Sequence, residues 1–323
     1  MKEGPSAFAK FAWFTLGWNL LVILWGVFLR ASKSGDGCGQ HWVTCNGEVI
    51  PSAPELKTII EFSHRATSSL AGIVIIILLV WAVRRWYVLR SENSRAAMRM
   101  ATGAFIFVLV EGLLGRSLVL TGNTALNLTP ERPFWMAGHL INTFILLAFL
   151  TLTARYASGG ERMVWNRGGK YSAALIIGAL AVILVGVTGS IAALSSMIFP
   201  SGSIAEGLSQ DLSPTSHVLL RLRLLHPITA ILTSVFLIFL TGWFSKESGK
   251  VKPVTKWANV NALVLLIQIA FGSATLLMLS PILMQLGHLL LADIVWISYV
   301  MAAAAFLSHG PAPVQDATAL PAE

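Results

Sequence analysis

The sequence predicts an all-α integral membrane protein with eight transmembrane helices, arranged as two similar four-helix bundles in a parallel pseudo-repeat. Three observations carry this. Only 12% of the 323 residues are charged and 55% are apolar, whereas a soluble domain carries roughly 25% charged residues. Eight apolar stretches each approach or exceed the ~20 residues that cross a bilayer. Histidines recur at matching places in the first four and the last four stretches.

The spans are expected at 11–28, 60–83, 97–120, 135–156, 171–194, 218–243, 257–279 and 282–307. The first lacks a small-residue cleavage site before the polar loop that follows, so it reads as a retained span rather than a signal peptide. A short loop at Ser280-Pro281 makes the last two spans a tight hairpin. The tail 310–323, rich in Pro and Ala, reads as disordered.

The net charge of +8 is distributed by loop. Lys2 and Lys10 precede span 1, and Arg84, Arg85, Arg90, Arg95 and Arg99 follow span 2. Arg155, Arg162, Arg167 and Lys170 follow span 4, and Lys246, Lys250, Lys252 and Lys256 follow span 6. The other loops carry acids such as Asp36, Glu48, Glu55, Glu131, Glu206 and Asp211. Cations mark the cytoplasmic side, which places both termini there. The basic balance is thus topology, and no nucleic acid partner is expected.

His64 and His226 lie near the outer starts of spans 2 and 6, and His139 and His288 near those of spans 4 and 8. A titratable ring at lipid depth is costly and needs a task. A single buried histidine is more often hydrogen-bonded to a neighbouring helix than bound to metal. Four at paired depths point instead to two ligand pairs, and haem iron takes neutral imidazoles from facing helices. Zinc would require further Cys, His or carboxylate ligands that no cluster supplies. Gly72, Gly115, Gly138 and Gly287 are small enough to admit a flat macrocycle, or to serve close helix packing. His41, His217 and His309 fall in loops or at an interface and receive no role.

Glu61 and His64 share one helical face. A carboxyl group there can relay protons or place a water near the haem edge; the alternative is an ion pair with Arg65 or Arg116 that only orients His64. The equivalent position, three before His226, holds Arg223, a side chain that stays charged and suits a haem propionate. The first half is therefore the candidate for chemistry and the second for a fixed cofactor. Arg116 is a further candidate propionate partner, Glu111 a structural partner inside the bundle, and Asn142 an interhelical hydrogen-bonder. Asp293 lies five residues after His288, and Trp42 reads as an interfacial anchor. Cys38 and Cys45, the only cysteines, lie in the first outer loop, where a disulfide is permitted; a zinc clip with His41 and a redox-active thiol pair are the alternatives.

The string Cys38-Gly-Gln-His-Trp42-Val-Thr-Cys45-Asn-Gly, followed by Glu61-Phe-Ser-His64-Arg65, resembles the haem A synthase family across nearly the whole chain. The resemblance implies an enzyme that oxidises a methyl group of haem O to the formyl group of haem A by successive hydroxylations. It implies that His226 and His288 hold haem b, and that His64 and His139 bracket the haem O substrate. Glu61 is then the acid/base or water-positioning residue, with Arg65, Arg116 and Arg223 near propionates. The expected organisation is a substrate half (1–158), a linker (159–169), a cofactor half (170–309) and the tail. Expected partners are the lipid bilayer, an electron donor and the haem O-producing enzyme. The competing readings are a diheme b-type cytochrome that only carries electrons, and a haem carrier. A prenyl transferase is disfavoured because no pair of Asp-rich diphosphate-binding motifs is present.

Overall fold

The computed structural model describes residues 6–312 apart from 128 and 166. Lys2 and the tail from 313 onward lie outside the described residues. Ten helices are described: α1 (Ala7–Ala31), α2 (Leu56–Leu89), α3 (Glu92–Leu120), α4 (Arg132–Ala157), α5 (Gly169–Ile198), α6 (Ile204–Leu212), α7 (Val218–Arg223), α8 (Leu225–Glu247), α9 (Lys252–Leu277) and α10 (Ile282–His309). Eight segments are long and apolar enough to cross a membrane, with α7 and α8 together forming one of them, Val218–Glu247. The chain is a multi-pass membrane protein. Its outward faces agree: Ile76, Ile77 and Val80 on α2, and Ile176, Ile177 and Leu180 on α5, are exposed, an arrangement stable only against lipid.

The helices start and stop where local chemistry dictates. Ser91 accepts a hydrogen bond from the Ser94 amide at 3.2 Å and so caps α3. Ser203 does the same for α6 through the Glu206 amide at 3.2 Å. The sixth crossing breaks at Leu224 because Pro227 has no amide hydrogen and its ring crowds the carbonyl four residues back, at Arg223. His226 therefore sits immediately after a break. Hydropathy does not predict helix α6; at nine residues it is too short and too polar to register as a span. The start of the tail also departs from expectation, since the Ala312 amide donates to Glu247 O at 2.7 Å and ties residues 310–312 to the end of α8.

Sequential helices pack as neighbours, α3 on α4 and α9 on α10, and α10 also touches α1, α4, α5 and α8. This central position explains why α10 is apolar on nearly every face. Two tight contacts lock it in place. Trp296 stacks on Phe144 of α4, with ring centroids 5.4 Å apart, and donates its Nε1 hydrogen to the Phe144 carbonyl at 2.6 Å. The Tyr299 hydroxyl donates to Leu175 O of α5 at 2.6 Å. A single core thus runs from the first four crossings into the last four.

Candidate functional site: two histidine pairs and a pinned loop

The rings of His226 (α8) and His288 (α10) face each other with centroids 6.0 Å apart and planes at 81°. Two metal–imidazole bonds of about 2 Å, with a ring radius added at each end, span about 6 Å. The gap therefore fits one metal atom. Among the described residues no three His, Cys, Asp or Glu side chains converge, so the pair supplies two imidazoles and no third side-chain donor. The Nδ1 atoms of both rings, like those of His64 and His139, are buried without a hydrogen-bond partner, which is costly for polar groups.

Each of these rings lies against a glycine on a neighbouring helix. A Cβ at Gly189 (α5) would sit 3.0 Å from His226 Cε1, and one at Gly272 (α9) 2.6 Å from His288 Cε1. The first pair repeats the device: a Cβ at Gly26 (α1) would sit 3.0 Å from His64 Cε1. These glycines fix ring orientation by leaving no room for a side chain. Of the four named from the sequence, Gly72, Gly115 and Gly138 face open space, and a Cβ at Gly287 would meet the Phe271 ring at 2.7 Å. Sequence reasoning missed Gly26 and Gly189, although both precede a histidine by nearly equal intervals, 64 from 26 and 226 from 189.

His139 (α4) is oriented by a carboxylate. Its Nδ1 lies 2.9 Å from Glu111 Oε1 of α3. Glu111 in turn accepts from Thr143 Oγ1 at 2.5 Å and from Asn142 Nδ2, so its position is over-determined. Glu111 is thus a partner inside the bundle, and Asn142 makes the expected interhelical bond. In the second half Gln268 precedes Gly272 by the four residues that separate Glu111 from Gly115. Its amide donates only to the His288 carbonyl, at 3.1 Å.

Glu61 is 2% exposed. Its Oε1 accepts from Arg65 Nη2 at 2.5 Å and its Oε2 from the Cys38 amide at 2.9 Å. Arg65 Nη1 donates to the carbonyls of His41, at 2.7 Å, and Thr44, at 3.0 Å. Both residues therefore grip the loop closed by the Cys38–Cys45 disulfide. The close approach requires Gly37, where a Cβ would lie 2.4 Å from the Lys57 carbonyl carbon. Arg116 lies over the Trp42 ring, 5.6 Å from its centroid, at the edge of the same loop. Of the two ion-pair partners weighed for Glu61, the structure selects Arg65.

In the second half Arg223 contacts Asp211 Oδ1 at 2.6 Å through Nη2 and also donates to the Gly207 carbonyl. It pins α6 across that end of the bundle, as Arg65 pins the disulfide loop. The unexpected helix is the counterpart of the cysteine loop. Asp293 on α10 is 1% exposed, with both carboxylate oxygens unpartnered.

The profile of the COX15-CtaA family, described as cytochrome oxidase assembly protein, matches residues 9–300. The chain belongs to this family. A protein of Thermus thermophilus named protoheme IX farnesyltransferase is 40% identical over 310 residues, covering 96% of this chain and 50% of that protein. The chain thus spans about half the length of the Thermus relatives it matches. A heme A synthase of Alkalihalophilus pseudofirmus is 30% identical over 285 residues, covering 86% of this chain and 90% of that protein. One of Shouchella clausii is 26% identical over 259 residues, covering 80% and 83%. Membership in the cytochrome oxidase assembly family accords with helices that bring His226 and His288 together.

Proposed function

We propose that the chain is a haem A synthase, oxidising the methyl group of haem O to a formyl group by successive hydroxylations for use in terminal oxidases. The observation that carries this reading is the inequality of the two histidine pairs. Carboxylates lie beside the first, Glu111 on His139 and Glu61 one turn from His64. The second has Gln268 and Arg223 in those places. Relatives named heme A synthase over most of both chains support it.

In this reading His64 and His139 bracket haem O as substrate, and residues 1–158 form the substrate half. His226 and His288 hold haem b in the half 170–309, beyond the linker 159–169. Haem b supplies electron transfer when bound there. Glu61 is the proton-handling or water-positioning group, and Arg65 together with the Cys38 amide restricts its carboxylate to one rotamer. Gly26, Gly189 and Gly272 hold the imidazole planes. Electrons require a donor, and the substrate requires a haem O-producing enzyme nearby. The Thermus relatives support the second partner, because half of a protein named as that transferase is left beyond the segment resembling this chain. The loop cations support a bacterial cytoplasmic membrane location with both termini cytoplasmic.

The test is chromatography of haems extracted from cells that express this chain with a haem O-producing enzyme. Haem A, or a hydroxylated intermediate, is expected. Glu61→Ala retains the b-type spectrum and loses haem A formation by ~100-fold or more, the scale of a removed acid/base group. Unchanged haem O beside a well-formed b-type spectrum in the wild type replaces this reading with an electron-carrying cytochrome.

A further inference from the structure

Arg30, in the last turn of α1, and Lys33, just past its end, line one cleft of about 190 Å³ together with Ser196, Ser280 and Gln285. No Asp or Glu is among the described residues that line it. Other cations are engaged: Arg65 pairs with Glu61, Lys57 with Asp36 and Arg223 with Asp211, while Arg116 lies over Trp42. Among the described residues, neither Arg30 nor Lys33 forms an ion pair with a carboxylate. Two like charges on one cleft repel each other, and an anion held there removes that cost. The volume well exceeds the ~30 Å³ share of one water, so the cleft admits a polyatomic anion.

The cleft lies where crossings end. Ser196 and Met197 occupy the final turn of α5, and Leu279 and Ser280 the turn between α9 and α10. This is headgroup depth whichever way the chain faces. Leu279 on the rim and Leu283 in the first turn of α10 are exposed, which at this depth means contact with lipid. The walls are closed without help from a ligand. The Ser34 amide donates to Leu29 O at 3.0 Å and the Ser280 amide to Thr275 O at 2.8 Å, with Lys33, Leu279 and Ser280 in the left-handed region that ends such helices. Gln285 spends its side-chain amide on Ser280 O at 2.8 Å. The two cations and the serine hydroxyls remain to hold an anion. The cleft also joins the halves, since α1 belongs to the first four crossings and α5, α9 and α10 to the last four.

We propose that this cleft binds the phosphate of an anionic phospholipid, with Arg30 and Lys33 as its counter-charges, and that the lipid ties the two halves together at this end. Basic pockets between membrane helices take such headgroups. A haem propionate offers similar anionic oxygens. The uncovered apolar rim favours the lipid, and the experiment separates the two sources. The proposal is independent of what either histidine pair holds.

The full chain, expressed under haem-limiting conditions and delipidated in neutral detergent, is titrated with phosphatidylglycerol and with phosphatidylcholine, and bound lipid is counted by native mass spectrometry. One phosphatidylglycerol is expected to bind about tenfold or more tightly than phosphatidylcholine, the scale of cations beside an anionic headgroup. Arg30→Gln with Lys33→Gln loses that equivalent, and Arg30→Lys, which keeps the charge, retains it. Melting in phosphatidylcholine checks folding: the double Gln variant matches or exceeds the wild type, since the unpaired charges are gone. Phosphatidylglycerol with a photoactivatable headgroup is expected to crosslink in the wild type at 196–200 or 279–285. A wild type without preference, a double Gln variant that keeps the tight lipid, or crosslinks confined to other segments overturns the proposal. So does loss of the tight lipid on loading with haem b but not with its dimethyl ester, which gives the cleft to a propionate.

Discussion

The two histidine pairs share a construction and differ in surroundings. In each, the first histidine lies against a glycine, Gly26 for His64 and Gly189 for His226, and an arginine nearby pins an outer cover. Around that frame the first region carries Glu61 and Glu111, where the second has Arg223 and Gln268. The covers differ as well: a disulfide-closed loop whose backbone touches Glu61, against a nine-residue helix held by Arg223. The lesson is that the same placement of a histidine against a glycine recurs while the polar groups around it differ. A site for a resident group requires only retention. One for a substrate also needs proton handling.

The comparison breaks most directly at the histidines. His226→Ala or His288→Ala is expected to remove the resident b-type spectrum, whereas His64→Ala or His139→Ala leaves it largely intact and stops haem A formation. Pyridine haemochrome analysis of the purified variants measures both, and the reverse pattern exchanges the assignments of the two halves. Glu111→Gln comes next. Removing the carboxylate behind His139 lowers haem affinity at the first pair by about tenfold or more, as for other residues behind a metal ligand. Gln268→Ala has a smaller effect on the second pair, because Gln268 bonds a backbone carbonyl rather than the ring. Optical haem titration compares the two, and equal effects remove the distinction drawn between the regions. The smallest effect is expected at the loop. Cys38→Ser with Cys45→Ser costs the loop about 2–3 kcal/mol of local stability and slows turnover without abolishing it, since Arg65 still grips the loop carbonyls. Hydrogen exchange at residues 37–46 reads the loosening; unchanged protection there detaches the disulfide from the positioning of Glu61.

Much of this was readable from the chain. The eight crossings follow from hydropathy, because lipid solvation requires an apolar stretch of fixed length. The meeting of His226 with His288 was expected from the expense of imidazole at that depth. The Glu61/Arg223 asymmetry is visible by aligning the halves on their histidines. What escaped reading is of three kinds. Helix α6 escaped because it is short and polar. The cradling glycines escaped because which glycine meets a ring depends on the rotation of one helix against another, and that rotation is set by side-chain packing far from the ring. The partners of the charges escaped because an arginine can reach several acids at similar distance along the sequence. Arg223 chooses Asp211 and Arg65 chooses Glu61, which leaves Arg30 and Lys33 unneutralised.

By itself, then, the sequence determined the fold class and the number of crossings. These rest on composition and on spacing along single helices, where the physics is local. Only the tertiary structure decided that His226 and His288 stand 6.0 Å apart, that Glu111 lies beside His139, and that the disulfide loop reaches Glu61 through one amide. Each of these is a distance between different elements, set by how whole helices pack.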